Sequence, residues 1–396
     1  MKIRFAGAWA AILTLVLSLL VGGCQTSTEE SQGRDVQTTQ PVPAPSTEPP
    51  QQTDNQTPSS EETQPDQKKV TAVRLADFST GWVGGEGWIA RTEDAGKSWQ
   101  VQQRVDGTVS QLFALNSQEA WAAVSADETT AGERLLLHTT NGGKDWTSAG
   151  KVPGNGFFHF VSPEEAFSGN WRTTDGGKTW SKLPIPEHVI GEAYFHDKQN
   201  GWAVTQEQKT AQVKRTVDGG KTWKTVMSRE VVEPPVNAII RSAGPEDAWV
   251  EWIGGTGMTQ TSYSLFHTAN GGGDWQVVIA KSSAGGGPAP GFPADYREGP
   301  SLGGSSPGPF YVVDTKVAFL GEQCMACDVP NTIGWTKDGG KTLGKSDQKF
   351  SGFGPMLLAF ADAQKGWLIT TDASEPSVMY TTLDGGKQWT KVHEFR

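Results

Sequence analysis

One short phrase returns seven times along this chain of 396 residues, and that recurrence restricts its fold more than anything else. The copies run Thr92-Glu93-Asp94-Ala95-Gly96-Lys97-Ser98-Trp99, Thr140-Asn141-Gly142-Gly143-Lys144-Asp145-Trp146 and Thr174-Asp175-Gly176-Gly177-Lys178-Thr179-Trp180. Val217-Asp218-Gly219-Gly220-Lys221-Thr222-Trp223 and Ala269-Asn270-Gly271-Gly272-Gly273-Asp274-Trp275 follow. The series ends with Lys337-Asp338-Gly339-Gly340-Lys341-Thr342-Leu343 and Leu383-Asp384-Gly385-Gly386-Lys387-Gln388-Trp389. A unit that returns at such intervals is one supersecondary element, stacked on its neighbours because it cannot bury its own apolar face.

Asp-Gly and Asn-Gly mark tight turns, because glycine accepts positive φ and the Asx side chain bonds backbone amides ahead of it. Alternating segments such as Trp88–Thr92 precede the turn, and the aromatic residue opens a strand after it. A second element lies upstream in every copy: Gly81-Trp82, Ala120-Trp121, Ala166-Phe167, Gly201-Trp202, Ala248-Trp249, Ala318-Phe319 and Gly366-Trp367. Before it stands another apolar run, as in Leu112–Leu115 and Leu357–Phe360. Each repeat thus supplies four short strands, and no long amphipathic helix competes. Four-stranded sheets arrayed radially make a β-propeller. The expectation is an all-β, seven-bladed propeller of four-stranded blades over residues 70–396.

The phrase resembles the Asp-box, or BNR repeat, of sialidases, sortilin-type receptors, some glucan hydrolases and photosystem II assembly factors. Its Asp-Gly-Gly-Lys-Thr-Trp form and the added Gly-Trp strand resemble most the photosystem II assembly and stability factor subgroup. The resemblance implies that Asp94, Asn141, Asp175, Asp218, Asn270, Asp338 and Asp384 are turn residues remote from the ligand face. The residues agree: Asn141 and Asn270 make the same turn but cannot act as catalytic carboxylates. For function, the resemblance implies a non-catalytic propeller that binds or scaffolds a partner, with a role in membrane-complex assembly.

Residues 1–23 read as an export signal: Lys2 and Arg4, then an apolar run from Ala8 to Leu20. Val21-Gly22-Gly23-Cys24 resembles a bacterial lipobox, which implies cleavage before Cys24 and acylation of its thiol. The other reading is an ordinary signal sequence with an incidental cysteine. Residues 24–69 are rich in Thr, Ser, Gln and Pro, with too little apolar surface to offset the entropy of ordering. They read as a tether with a reach on the order of 35–40 Å. The expected location is the bacterial cell envelope, anchored on the outer face of the cytoplasmic membrane or in the outer membrane. A formal net charge of −10 argues against nucleic acid as a partner. The partners expected are membrane lipid through Cys24 and a protein or glycan ligand.

Chemistry is sparse. Cys324 and Cys327 form a pair that, outside the cytoplasm, closes a small disulfide; free thiols or half of a metal set are the other readings. No HExxH, P-loop or EF-hand pattern occurs, and no cofactor or metal site is expected. Gly304–Gly308 matches the nucleophile-elbow pattern but stands in a Gly/Pro/Ser-rich stretch. Arg91, Arg172 and Arg215 precede box turns and read as solvated or inter-blade pairing residues. A cell-surface glycoside hydrolase is the competing function, and it requires a convergent pair of carboxylates at the channel mouth. The longest interval between turns, 68 residues from Asn270 to Asp338, holds residues 281–309. Long loops in compact domains are often functional. We therefore expect a partner rim there, made by Phe292, Asp295, Tyr296 and Arg297 with Trp252, and by the connections at 254–262 and around Cys324.

Overall fold

A computed structural model describes residues 68–126, 132–297, 299–323 and 330–396. The segment expected to be signal and tether up to residue 67, including Cys24, lies outside the described residues, as do Cys324 and Cys327. Every regular element among the described residues is a strand, and every pairing is antiparallel. The second strand of the repeat is buried along nearly its whole length, as in Ala120–Ser125 and Gly366–Thr370, because each sheet is covered on both faces by its neighbours.

The strands form six sheets, not seven: one of six strands over 72–152, then four-stranded sheets over 158–182, 194–230, 237–281, 306–345 and 357–394. We number them 1 to 6. Sheet 1 holds the first two repeats. Strand Gly81–Thr92 pairs with Ala72–Leu75 through its first half and with Gln100–Ala114 through its second. Gln100–Ala114 in turn pairs with Ala120–Ser125 through its second half. The physical reason is that repeats one and two are joined without a loop. The chain runs extended through Gly107, whose φ of 123° is open to glycine, and hydrogen bonding continues across the junction.

Sheet 6 is built wholly from the C-terminal strands, so the ring closes without a shared strand. Closure is by packing. Val70, Val83, Trp88 and Ala90 of sheet 1 share one core cluster with Ala359, Trp367, Ile369, Met379 and Phe395. Trp99 meets Trp367 edge-on at 5.8 Å and tilts over Phe395 at 5.7 Å. Two backbone contacts finish the seam: Val70 N donates to Ser377 Oγ at 3.1 Å, and Ser377 N to Lys68 O at 2.7 Å.

The seven repeated turns share one network. In the third copy, Thr173 Oγ1 donates to Asp175 Oδ1 at 2.8 Å and accepts from Gly177 N at 2.9 Å. Thr179 then caps the same carboxylate through its backbone N and its hydroxyl, at 2.9 and 2.6 Å. These bonds hold the Asp175 carboxyl down at about 2. The other six copies repeat the Thr-to-Asx bond and the Gly-to-Thr bond.

A second set of turns lies at the same end of each sheet, between the first and second strands. Asp77, Asn116, Asp197, Asp314 and Asp362 accept two amides each, and Ser162 does the same. In every repeat the third residue of the box turn donates its N–H to a carbonyl of this upstream turn, as in Gly176 N to Glu164 O at 2.9 Å. One end of the ring is thereby rigidly tied. The connections that vary in length emerge at the other end.

Candidate functional site: the central channel

The innermost strand of each repeat lines a central channel, and the repeat's own register decides which side chain faces it. Arg74, Phe113, His159, Tyr194, Arg241, Tyr311 and Ala359 each lie directly across from the aromatic residue of the Gly/Ala-aromatic strand. Those aromatics are Trp82, Trp121, Phe167, Trp202, Trp249, Phe319 and Trp367, all essentially buried. In sequence the channel residue always stands eight positions before its aromatic. The repeat therefore builds a stiff aromatic wall, and one variable position per repeat in front of it.

That layer is not uniform. Ala359 is buried in the seam core and lines neither the inner cavity of the channel nor its mouth, and the Arg74 guanidinium lies over Phe113 at 4.5 Å and over Tyr311 at 5.9 Å. The Arg241 guanidinium lies over Phe157 at 3.8 Å and over Phe310 at 5.9 Å, and donates to the Ile240 carbonyl at 2.8 Å. Both arginines line the same cavity, and both act electrostatically on His159 and on Tyr194. Neither makes a salt bridge with a carboxylate among the described residues. Burial lowers the Arg241 pKa, and pushes the neutral His159 down to about 3, with His196 and both arginines adding to the latter. Tyr194, stacked on His159 at 4.9 Å, is raised by burial to about 12.

The inner cavity has a volume of about 510 Å³ and opens into a mouth of about 700 Å³. Among the described residues, Glu192 is the single carboxylate lining either one. Arg134, at the mouth, is buried but already satisfied: it donates to Gly154 O at 2.9 Å and to Gly156 O at 2.6 Å. Two cations among aromatic faces, neither salt-bridged to a carboxylate among the described residues and Arg241 feeling Glu192 and Glu251 without contact, are a site for an anionic group.

Other buried carboxylates are committed elsewhere. Asp247 Oδ1 lies 2.9 Å from His267 Nε2, and His267 Nδ1 donates to Gly339 O at 2.9 Å, tying repeat five to the turn of repeat six. Glu322 accepts from the Tyr263 hydroxyl and from the backbone of Leu302 and Gly304. Glu251 is buried beside them, where desolvation lifts its carboxyl to about 8. None of the three lines the channel, and among the described residues the channel shows no pair of carboxylates of the kind a glycoside hydrolase uses. Gly304–Gly308 runs into strand Ser306–Val312 and no helix follows it, unlike a nucleophile elbow.

The residues expected to form a partner rim are only partly brought together. The connections at 254–262 and 281–306 do pack on each other: Ser262 Oγ donates to Gly286 O at 2.8 Å, and Thr261 N to Ser305 O at 3.0 Å. Asp295 and Arg297 are exposed on the loop. Phe292 and Tyr296 stack on each other at 4.3 Å, and Arg229 lies over Phe292 at 5.1 Å. Trp252 is 0% exposed and belongs to the core beneath, so it offers no surface. Arg91 and Arg215 stitch neighbouring repeats, to Ser117 O at 3.1 Å and to Gly271 O at 3.3 Å, whereas Arg172 pairs within its own sheet with Glu165. At Leu343, where six repeats carry Trp, Trp335 from the adjacent strand covers Gly344 instead.

No family model and no curated relative matches the chain. Solved structures do. A GH74 xyloglucanase from Xanthomonas campestris superposes with a TM-score of 0.54 at 14% identity, over 83% of this chain and 55% of that one. The chain folds as a β-propeller. YCF48 from Cyanidioschyzon merolae gives a TM-score of 0.49 at 15% identity, over 81% of this chain and 95% of that one. YCF48 bound to a D1 peptide gives 0.45 at 16%, over 81% and 92%. At these identities the likeness speaks to the fold alone. The propeller's function has to be argued from its channel.

Proposed function

We propose that this propeller is a non-catalytic binding protein that takes an anionic, extended segment of a protein partner into its central channel. The observation that carries this is that Arg74 and Arg241 line one cavity and neither forms a salt bridge with a carboxylate among the described residues. Like charges held together in a low-dielectric wall favour an anionic guest strongly. That no carboxylate pair lines the channel among the described residues favours binding over glycoside hydrolysis. In this reading the repeated Asp-box turns are architecture. The chain is exported, acylated at Cys24 and tethered at the bacterial envelope, where it serves assembly of a membrane complex. The 281–309 loop is a second contact surface for the same partner, and Cys324 and Cys327 close a disulfide beside it.

The test is photo-crosslinking in cells from a probe placed at Phe310, in the channel, with a parallel probe at Asp295. Capture of one polypeptide at Phe310, lost in the Arg74→Gln/Arg241→Gln double variant, supports the channel. Capture from Asp295 alone moves the site to the loop. Release of reducing ends from a panel of glycans and sialosides would overturn the non-catalytic reading.

A further inference from the structure

The channel wall has one low side. Beyond its repeat aromatic, the second strand of sheet 2 continues only to Ser168, and Gly169 and Asn170 turn directly into Trp171–Thr173. The corresponding strand of sheet 4 runs from Ala248 to Thr256 and returns over Thr261–Thr268. At about 3.3 Å per residue the second strand of sheet 2, which backs the channel wall, reaches about 20 Å less far past its aromatic than that of sheet 4. A groove of about 290 Å³ occupies the gap and shares Gly169, Glu192 and Ala193 with the channel mouth. The mouth shares Phe157, Tyr194 and Arg241 with the inner cavity. An open path therefore runs from the two arginines sideways over sheet 2.

Glycines shape its floor. A Cβ on Gly156 would lie 2.8 Å from Glu192 Oε2, and one on Gly169 3.7 Å from Glu192 Cδ, so the carboxylate lies in space these residues leave open. Glu192 is exposed and has no salt-bridge partner among the described residues. At the outer end, Trp171 and Ile185 offer partly exposed apolar surface. Resting on the proposed channel function, we infer that the ligand is a polypeptide that leaves the channel sideways over sheet 2. It places an acidic group between Arg74 and Arg241 and, a few residues outward, a lysine or arginine on Glu192. The charge order selects a peptide. A uniformly anionic polymer would satisfy the arginines but meet repulsion at Glu192, and a small anion would not need the open side.

The test is selection of random twelve-residue display peptides on the full chain, on the Glu192→Lys variant and on the Arg74→Gln/Arg241→Gln variant, with polygalacturonate as a competing anionic polymer. Glu192 favours the charge of the nearby Arg134 and Arg241, so Glu192→Lys should melt below the parent, and Glu192→Gln, which adds no cation, is selected beside it and should likewise lose the basic residue. The expected result is an acidic residue followed at fixed spacing by a basic one. Glu192→Lys should keep the acidic residue and lose or invert the basic one, weakening parental peptides about tenfold. The same acidic–basic motif on Glu192→Lys, or polygalacturonate binding that Glu192→Lys leaves unchanged, overturns the sideways path and leaves the channel standing. Selection of the same peptides by the arginine double variant overturns the channel reading itself.

Discussion

At the scale of single residues, the repeated turn carries its own control experiment. Where the turn residue is Asp, the residue four positions on is Ser or Thr in four copies, and its hydroxyl donates to the carboxylate, as Ser98 does to Asp94 and Thr222 to Asp218. Where it is Asn, the fourth residue is Asp, and the amide donates instead: Asn141 Nδ2 to Asp145 Oδ2 at 2.7 Å, Asn270 Nδ2 to Asp274 Oδ2 at 2.9 Å. Donor and acceptor exchange together. Thr179→Asp alone would set two carboxylates against each other in the third turn and should cost about 1–2 kcal/mol. Adding Asp175→Asn should recover most of that loss, measured as non-additivity in urea unfolding. Additive losses would mean the turn does not depend on this pairing. These turns were legible in the sequence because their chemistry is local. The channel arginines were not, since Arg74 and Arg241 acquire meaning only through cross-strand register. Their constant offset from the repeat aromatics was the signal available.

At the scale of elements, the long connection before sheet 5 is a built structure and not a slack insertion. Ala289 and Leu302 are buried, and Ser282 bridges Tyr296 O and Ala289 N. Its return limb is held by Glu322, which collects Tyr263, Leu302 and Gly304 in one carboxylate. That anchor raises Tyr263 well above the ordinary phenol range, with desolvation as the largest cause and Glu322 next. Glu322→Ala strands a buried hydroxyl and two amides, a loss of about 3–5 kcal/mol if all stay unpaired. The expected outcome is faster amide exchange and proteolysis confined to 299–306, with sheets 1 to 3 protected as before. Uniformly faster exchange around the ring would show that Glu322 supports the whole fold. The sequence marked this loop by length and composition. It could not mark Glu322, a strand residue whose partners lie on two other elements. The merging of two repeats into one sheet was hidden for a similar reason: whether a junction stays hydrogen-bonded depends on backbone course, not on composition.

At the scale of the whole molecule, closure by packing puts a large share of the ring's stability into a few aromatic contacts. Trp99→Ala removes the side chain that meets both Trp367 and Phe395, and should cost about 3–5 kcal/mol. Because the first and last sheets separate together, hydrogen exchange should rise in strands Ala72–Leu75 and Thr390–Glu394 ahead of the middle sheets. Protection lost first in sheets 3 and 4 would mean the seam is not the weak point.

The ring's pH response follows from two groups enclosed near the channel with opposite signs. Glu251 is lifted by burial from 4.5 to about 8, and Arg241 offsets only part of that. Between those values the folded chain holds a proton that the unfolded chain has released, so stability falls as pH rises. His159 is pushed by burial from 6.5 to about 3. Across that window the unfolded chain takes up a proton that the folded chain refuses, so stability falls as pH drops. From about 4.5 to 6.5 the two slopes cancel, which places a plateau there and a loss on either side. Glu251→Gln should remove the alkaline loss and let the acid limb begin near 6.5 instead of 4.5, while His159→Phe should remove the acid loss and let the alkaline limb begin near 4.5 instead of 6.5. Chemical denaturation from pH 3 to 9, read as the difference between each variant and the parent, isolates these two groups from the turn aspartates that titrate lower. A parallel shift of the curve at all pH values would show that Glu251 and His159 act through packing alone. The crossed pattern would show that the same enclosure that buries Arg241 without a salt bridge also sets the pH range in which the ring is most stable.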